Sequence, residues 1–151
     1  MELIFFKDLN KMVAKESPLR IYNAKKGIGS FVTFDVNHLS LIPFDRYFMH
    51  IWIYLCDWKV FKNKEEILNS DEQSERIFFE VMRGLNGKQL LSVNKMESEM
   101  LQINISDNYK IILFNKQYES EDDWVMIYLN NGKVICYSEA QGLYIVNGSE
   151  V

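Results

Sequence analysis

The constraint that most limits what this chain can fold into is an apolar pattern written twice, once on each side of the polar break Asn69-Ser70-Asp71. Glu2-Leu-Ile-Phe-Phe6 is echoed by Glu75-Arg-Ile-Phe-Phe79, and Ile53-Tyr-Leu55 with Lys59-Val60 by Ile127-Tyr-Leu129 with Lys133-Val134. Between these anchors, Val32/Phe34/Val36 match Leu101/Ile103/Ile105 and Leu39/Leu41 match Tyr109/Ile111 by apolar parity. The offset between the copies is 69 positions at Val32, 70 at Leu41 and 74 at Ile53, which puts the extra residues of the second copy into turns. Such repetition speaks to architecture rather than to chemistry. It predicts a single domain, residues 1–151, built from pseudo-repeats of about 1–69 and 70–151.

Each copy reads as a helix followed by an antiparallel meander. Leu3, Phe6, Leu9, Met12 and Val13 recur at helical spacing and Pro18 ends the pattern, predicting a first helix over Glu2 to Lys15. In the second copy Ser70 is a candidate N-cap, and Asp71, Glu72 and Glu75 suit a helix N-terminus. The stripe Ile77, Phe78, Val81, Met82 and Leu85 then runs to a stop at Asn86-Gly87.

Alternation predicts strands at Arg20–Lys25, Ser30–Val36, Leu39–Phe44 and within Phe48–Phe61, the last bulky on both faces, hence central and bent near Asp57. Further strands are predicted at Gln89–Asn94, Met100–Ser106, Lys110–Lys116, Trp124–Leu129, Lys133–Ser138 and Leu143–Asn147, and only the tail from Asn147 to Val151 reads as loose. Asn131-Gly132 reads as a type I′ hairpin turn. The expected fold is α+β, two helices packed against curved antiparallel sheet.

Composition fits one compact domain: 151 residues, 48% hydrophobic and 25% charged. The N-terminus lacks a basic lead and a long apolar stretch, and Tyr47–Val60 is too short and too polar to span a bilayer, so the expected location is the cytoplasm, with no membrane partner. Two cysteines, Cys56 and Cys136, give neither a disulfide framework nor a zinc spacing. A net charge of −4 and a pI near 5.2 argue against nucleic acid as the main partner. Lys11, Lys15, Arg20, Lys25 and Lys26 form only a local basic stretch.

Few residues point to chemistry. His38 sits in a polar turn and His50 in the aromatic strand, without the paired spacing that metal binding or catalysis needs. Cys56, before Asp57-Trp58, has no base placed near it by the sequence. Gly27-Ile-Gly-Ser30 leads into a strand, whereas a phosphate cradle leads into a helix. No catalytic residue, metal or cofactor is assigned. What stands out is the block Glu119, Glu121, Asp122 and Asp123, with no Lys or Arg between Gln117 and Trp124, inside the four residues by which the second copy outgrows the first. It reads either as a solvated loop or as a surface that attracts a basic partner, with Tyr118 or Trp124 as an aromatic anchor beside it. The aromatics Trp52, Tyr54, Trp58, Trp124, Tyr128, Tyr137 and Tyr144 offer a different site, a sheet face for stacking bases, with Trp52, Tyr54 and Trp58 in the pocket for a ligand or nucleic acid.

The segments Gly27-Ile-Gly-Ser-Phe-Val-Thr-Phe-Asp35 and His50-Ile-Trp-Ile-Tyr-Leu-Cys-Asp-Trp-Lys-Val60 resemble a pattern of small bacterial proteins in which a Gly-rich turn and strand precede an aromatic strand, a helix and a second meander. In character the short, acidic, aromatic-rich chain is similar to the immunity proteins of bacterial toxin systems, including contact-dependent growth inhibition. That resemblance implies a non-enzymatic protein that neutralises a basic toxin domain, a nuclease above all, whose phosphate-binding Lys and Arg an acidic surface can cover. It carries over no functional residue. The residues expected to bind that partner are Tyr118, Glu119, Glu121, Asp122, Asp123 and Trp124.

Overall fold

A computed structural model describes residues 1–29, 31–38, 47–97 and 99–151. Its elements are β1 (Glu2–Leu3), α1 (Phe6–Lys15), β2 (Leu19–Lys26), β3 (Val32–His38), β4 (Met49–Ile53), β5 (Asp57–Lys62) and β6 (Glu65–Asn69). There follow α2 (Glu75–Leu85), β7 (Gln89–Lys95), β8 (Leu101–Ile105), β9 (Tyr109–Phe114), β10 (Asp123–Leu129), β11 (Lys133–Ser138) and β12 (Gly142–Asn147). The fold is α+β, and the helix-then-strands plan occurs twice.

Strand pairing follows the order β1-β12-β11-β10-β4-β3-β2-β7-β8-β9-β5-β6, antiparallel throughout. The order narrows between β2 and β7 to the pairs Leu19↔Leu90 and Arg20↔Gln89, which join a seven-strand sheet to a five-strand one. Neither meander is local. β5 pairs with β9 of the second unit, and β10 pairs with β4 of the first. The helices cross over in the same way, α1 packing on β7 and α2 on β2. Asn10 of α1 bridges this contact, its side-chain amide donating to the Val93 carbonyl at 2.9 Å and accepting from the Val93 N–H at 2.8 Å. On the other side Asn86, at the end of α2, accepts from the Ala24 N–H at 3.0 Å.

Alternation sends one face of both sheets and the buried stripes of both helices into a shared core. Leu9 and Val13 come from α1, Phe78, Met82 and Leu85 from α2; Phe34, Ile51, Ile103 and Ile111 come from the strands, together with the fully buried Trp58 and Trp124.

Several boundaries differ from the sequence expectation. The first helix starts at Phe6, not Glu2, because Glu2 and Leu3 are drawn onto the sheet edge opposite Ile145 and Tyr144. The echo of Glu2–Phe6 in Glu75–Phe79 therefore does not align equivalent structure; the buried positions Leu9/Val13 and Phe78/Met82, 69 apart, do. The second helix is capped by Ser74, whose Oγ accepts from the Ile77 N–H at 3.3 Å. Ser70 is occupied elsewhere, its Oγ accepting from the Trp58 N–H at 3.2 Å. The Asn131-Gly132 hairpin forms, but only Gly132 is left-handed there (φ 86°). Among the described residues, the turns with two left-handed residues are Asn63-Lys64 and Asp107-Asn108, which join β5 to β6 and β8 to β9. The tail is also held: Gly148–Glu150 forms a 3₁₀ turn, and the Gly148 N–H donates to the Gly132 carbonyl at 2.7 Å. The strand expected at Leu39–Phe44 lies outside the described residues.

Candidate binding face

The seven-strand sheet turns an aromatic face away from the core, and strand register dictates which residues form it. Opposite pairs give one row of Asp35, His50, Tyr128, Val134 and Val146, and a second of Thr33, Trp52, Met126, Cys136 and Tyr144. Trp52 lies 6.1 Å from Tyr54 and 6.4 Å from Tyr128 between ring centroids, and Phe31 sits 4.5 Å from Tyr54. Met126, Val134 and Cys136 are buried on this side. What covers them is the sheet's own half-exposed Trp52, Tyr54, Tyr128, Tyr144 and Val146. Apolar bodies with polar tips suit such a face, because the rings exclude water from the strand while the hydroxyls and indole N–H keep their partners.

His50 is fixed between two partners. Its Nδ1 lies 2.6 Å from a carboxylate oxygen of Asp35, and the Trp52 indole N–H donates to its Nε2 at 2.5 Å. An indole nitrogen can only donate, so Nε2 accepts and Nδ1 carries the proton shared with Asp35. This is a positioning arrangement: it orients the Trp52 ring and leaves no imidazole lone pair for a metal or substrate.

The acidic loop reaches the same face at its last residue, Asp123. Residues 115–122 are organised by Asn115, whose side-chain oxygen accepts from the N–H groups of Gln117 and Tyr118 at 3.1 and 2.8 Å, while its amide donates to the Tyr118 carbonyl and to Glu139. Asp122 accepts from the Glu119 N–H at 3.1 Å, and the Ala140 N–H ties the next turn to the Ser120 carbonyl at 2.9 Å. Glu119 and Glu121 are exposed, and Tyr118, Asp122 and Asp123 half-buried. Asp123 accepts from the Tyr144 hydroxyl at 2.7 Å. Burial raises the Asp123 carboxyl above its usual range and the Asp122 charge adds to this, while the Tyr144 bond works the other way. Burial and the same bond raise Tyr144, and burial pushes the Cys136 thiol up to about 11.

Trp124 does not belong to this surface. A register shift between Asp123 and Val125 turns both Trp124 and Val125 inward, and Trp124 is completely buried, 5.3 Å from the Tyr137 ring. It offers a partner no anchor. Trp58 is likewise buried, 5.5 Å from Phe78, so of Trp52, Tyr54 and Trp58 only the first two face outward. Cys56 lies in the bend before β5, and burial followed by the Asp57 charge raises its thiol far above the reactive range. His38 pairs with Glu16 at 3.1 Å. Among the described residues, no three of His, Cys, Asp and Glu converge closely enough to hold a metal ion.

Sequence reasoning missed Glu139, which Asn115 brings against the acidic loop from the β11–β12 turn; it grouped Tyr128 and Tyr144 with Trp52 as sheet-face aromatics but did not sort them from Trp58, Trp124 and Tyr137, which point into the core. Pairing of β10 with β4 across the units sets Tyr128 beside His50 and Trp52, and a loop-to-turn contact brings in Glu139; no spacing within one strand signals either. No family model, curated protein or solved structure matches this chain.

Proposed function

We propose that this chain is a non-catalytic binding protein that covers a basic surface of a protein partner, and that it serves as an immunity protein against a bacterial toxin domain of nuclease type. The observation that carries this reading is the Tyr144–Asp123 hydrogen bond. It joins the acidic run to the aromatic face at Asp123, which meets the hydroxyl of Tyr144 in the row of Trp52, with Asp122, Glu119 and Glu121 following along the loop. Lys and Arg side chains of a partner gain from both halves, since carboxylates attract their charge and aromatic faces receive it once water is displaced. Nuclease sites gather such side chains to hold phosphates. An acidic cover competes for them directly and associates quickly at low salt.

The division of labour follows from exposure. Glu119 and Glu121 steer; Trp52 and Tyr128 supply the desolvated centre, where truncation typically costs a few kcal/mol. The test is co-expression with toxic nuclease domains from bacteria that carry this chain. The unaltered protein should restore growth. E119K/E121K should slow complex formation and weaken its salt dependence, and Y128A should speed dissociation by tenfold or more. A protected host whose rescue survives all three changes would place the interface elsewhere.

A further inference from the structure

We propose that the outward face of the five-strand sheet is a second binding surface, for single-stranded nucleic acid. The repeated plan presents the same positions twice, and at those positions the chemistry changes. Trp52 stands between Thr33 and Met126, and Ile112 correspondingly between Gln102 and Lys59; His50 stands between Asp35 and Tyr128, and Lys110 between Asn104 and Phe61. Carboxylate, imidazole and thioether on one face thus give way to amide, ammonium and ammonium on the other.

The lysines here are held by rings. Lys110 lies 5.6 Å from the Phe61 centroid, and Lys59 and Lys116 lie 5.7 and 5.2 Å from that of Phe114. Lys59 also pairs with Glu66 at 3.1 Å, whereas no ion pair among the described residues engages Lys110 or Lys116. The charge of Lys110 is therefore available to an anion, and that of Lys116 is shared only at longer range with the Glu66 carboxylate, although the chain as a whole carries −4.

Beside them Gln102 donates to Asn104 at 2.5 Å and Asn104 to Ser92 at 2.9 Å, a row of amides able to meet base edges. The face continues into a cleft of about 660 Å³ between the β5–β6 and β8–β9 turns, lined by Asn63, Lys64, Leu91, Asn104 and Lys110 among others. Half-exposed phenyl rings alternating with ammoniums suit an unstacked strand, whose bases lie on rings while its phosphates meet lysines. A duplex keeps its bases stacked inside and gains only from the charges. The two surfaces adjoin at Lys116, within the 115–122 segment, but Lys59, Phe61, Lys110 and Phe114 lie outside the acidic loop, so variants at those positions keep this inference distinguishable from the protein-partner reading.

The test is fluorescence anisotropy of the full chain with a labelled 15-mer of thymidine, the same length of duplex, and heparin as a polyanion without bases. With Lys110 and Lys116 as the phosphate contacts, log affinity for the single strand should fall against log salt with a slope of about −1.4. K110E/K116E should reduce single-strand affinity at least tenfold, and E119K/E121K should not. F61L/F114L, which keeps the lysines and the apolar volume, should weaken the single strand severalfold and leave heparin unaffected. Absence of salt-sensitive single-strand binding, heparin or duplex bound as tightly as the single strand, or indifference to K110E/K116E would each overturn the proposal.

Discussion

At the residue scale the most instructive pair is Asp57-Trp58 and Asp123-Trp124, which open β5 and β10 at corresponding places in the two sheets. Each Trp is fully buried, so each anchors its sheet to the helices: Trp58 against Phe78, and Trp124 against Tyr137, which in turn meets Phe6. Each Asp ties another segment to the strand start, Asp57 a loop and Asp123 the strand β12. Asp57 accepts from the Lys116 N–H at 3.1 Å, and Asp123 accepts from Tyr144. This dipeptide is the truest echo in the sequence, yet the longer match of Ile53-Tyr-Leu55 to Ile127-Tyr-Leu129 hides it, because strand alternation makes unrelated β segments look alike. Trp58→Ala and Trp124→Ala should each destabilise the chain by about 3–5 kcal/mol in denaturant unfolding, through lost burial and an unfilled cavity. Asp123 is predicted to act in the opposite sense. Its carboxyl is raised in the folded chain, so ionising it costs more folded than unfolded; its contribution favours folding at low pH and is lost as pH rises from the ordinary carboxylate range through the raised value. Asp123→Asn should therefore flatten the stability profile above the ordinary carboxylate range, from about pH 4 upward, and Tyr144→Phe, which removes the hydrogen bond favouring the ionised form, should steepen it. Equilibrium unfolding across that pH range reads both.

At the scale of elements, what the sequence makes legible is what periodicity controls. The stripe of α2, its stop at Asn86-Gly87 and the strands from Gln89 onward match the fold to within a residue or two. Starts are harder to read, because a cap competes with other uses of the same side chain. Ser70 precedes Asp71 and Glu72, and Ser74 precedes Glu75; Ser70 is taken by the Trp58 N–H and Ser74 caps. Ser74→Ala should cost roughly 1 kcal/mol by urea unfolding, with Ser70→Ala leaving the helix start unchanged in amide exchange. In the acidic loop, charge and exposure were readable at Glu119 and Glu121. The inward turn of Trp124 was not, since it depends on a one-residue shift in register that flips a side chain across the sheet.

At the scale of the molecule, the repeat was legible and the exchange between its halves was not. A strand's alternation records which of its faces is buried and is silent on which strand lies beside it, so a local meander and an exchanged one share a sequence pattern. Here the exchange runs both ways. The β5–β6 hairpin leaves its own unit to extend β9, β10–β12 extend β4, and α1 and α2 each lean on the other unit's first strand. One unit alone would keep β2-β3-β4 with an open edge at β4, a detached β5–β6 hairpin, and a helix without the strand it packs on. Loss of that many apolar contacts exceeds the margin by which a small domain is stable. Fragments 1–72 and 73–151 should each lack a cooperative thermal transition. Mixed at equal concentration, they should regain near-UV circular dichroism and a single transition whose midpoint rises with concentration, as association demands. A cooperative transition in the first fragment alone would show that β5 and β6 can return to β4. Pairing across units would then be a preference of the whole chain rather than a condition for folding.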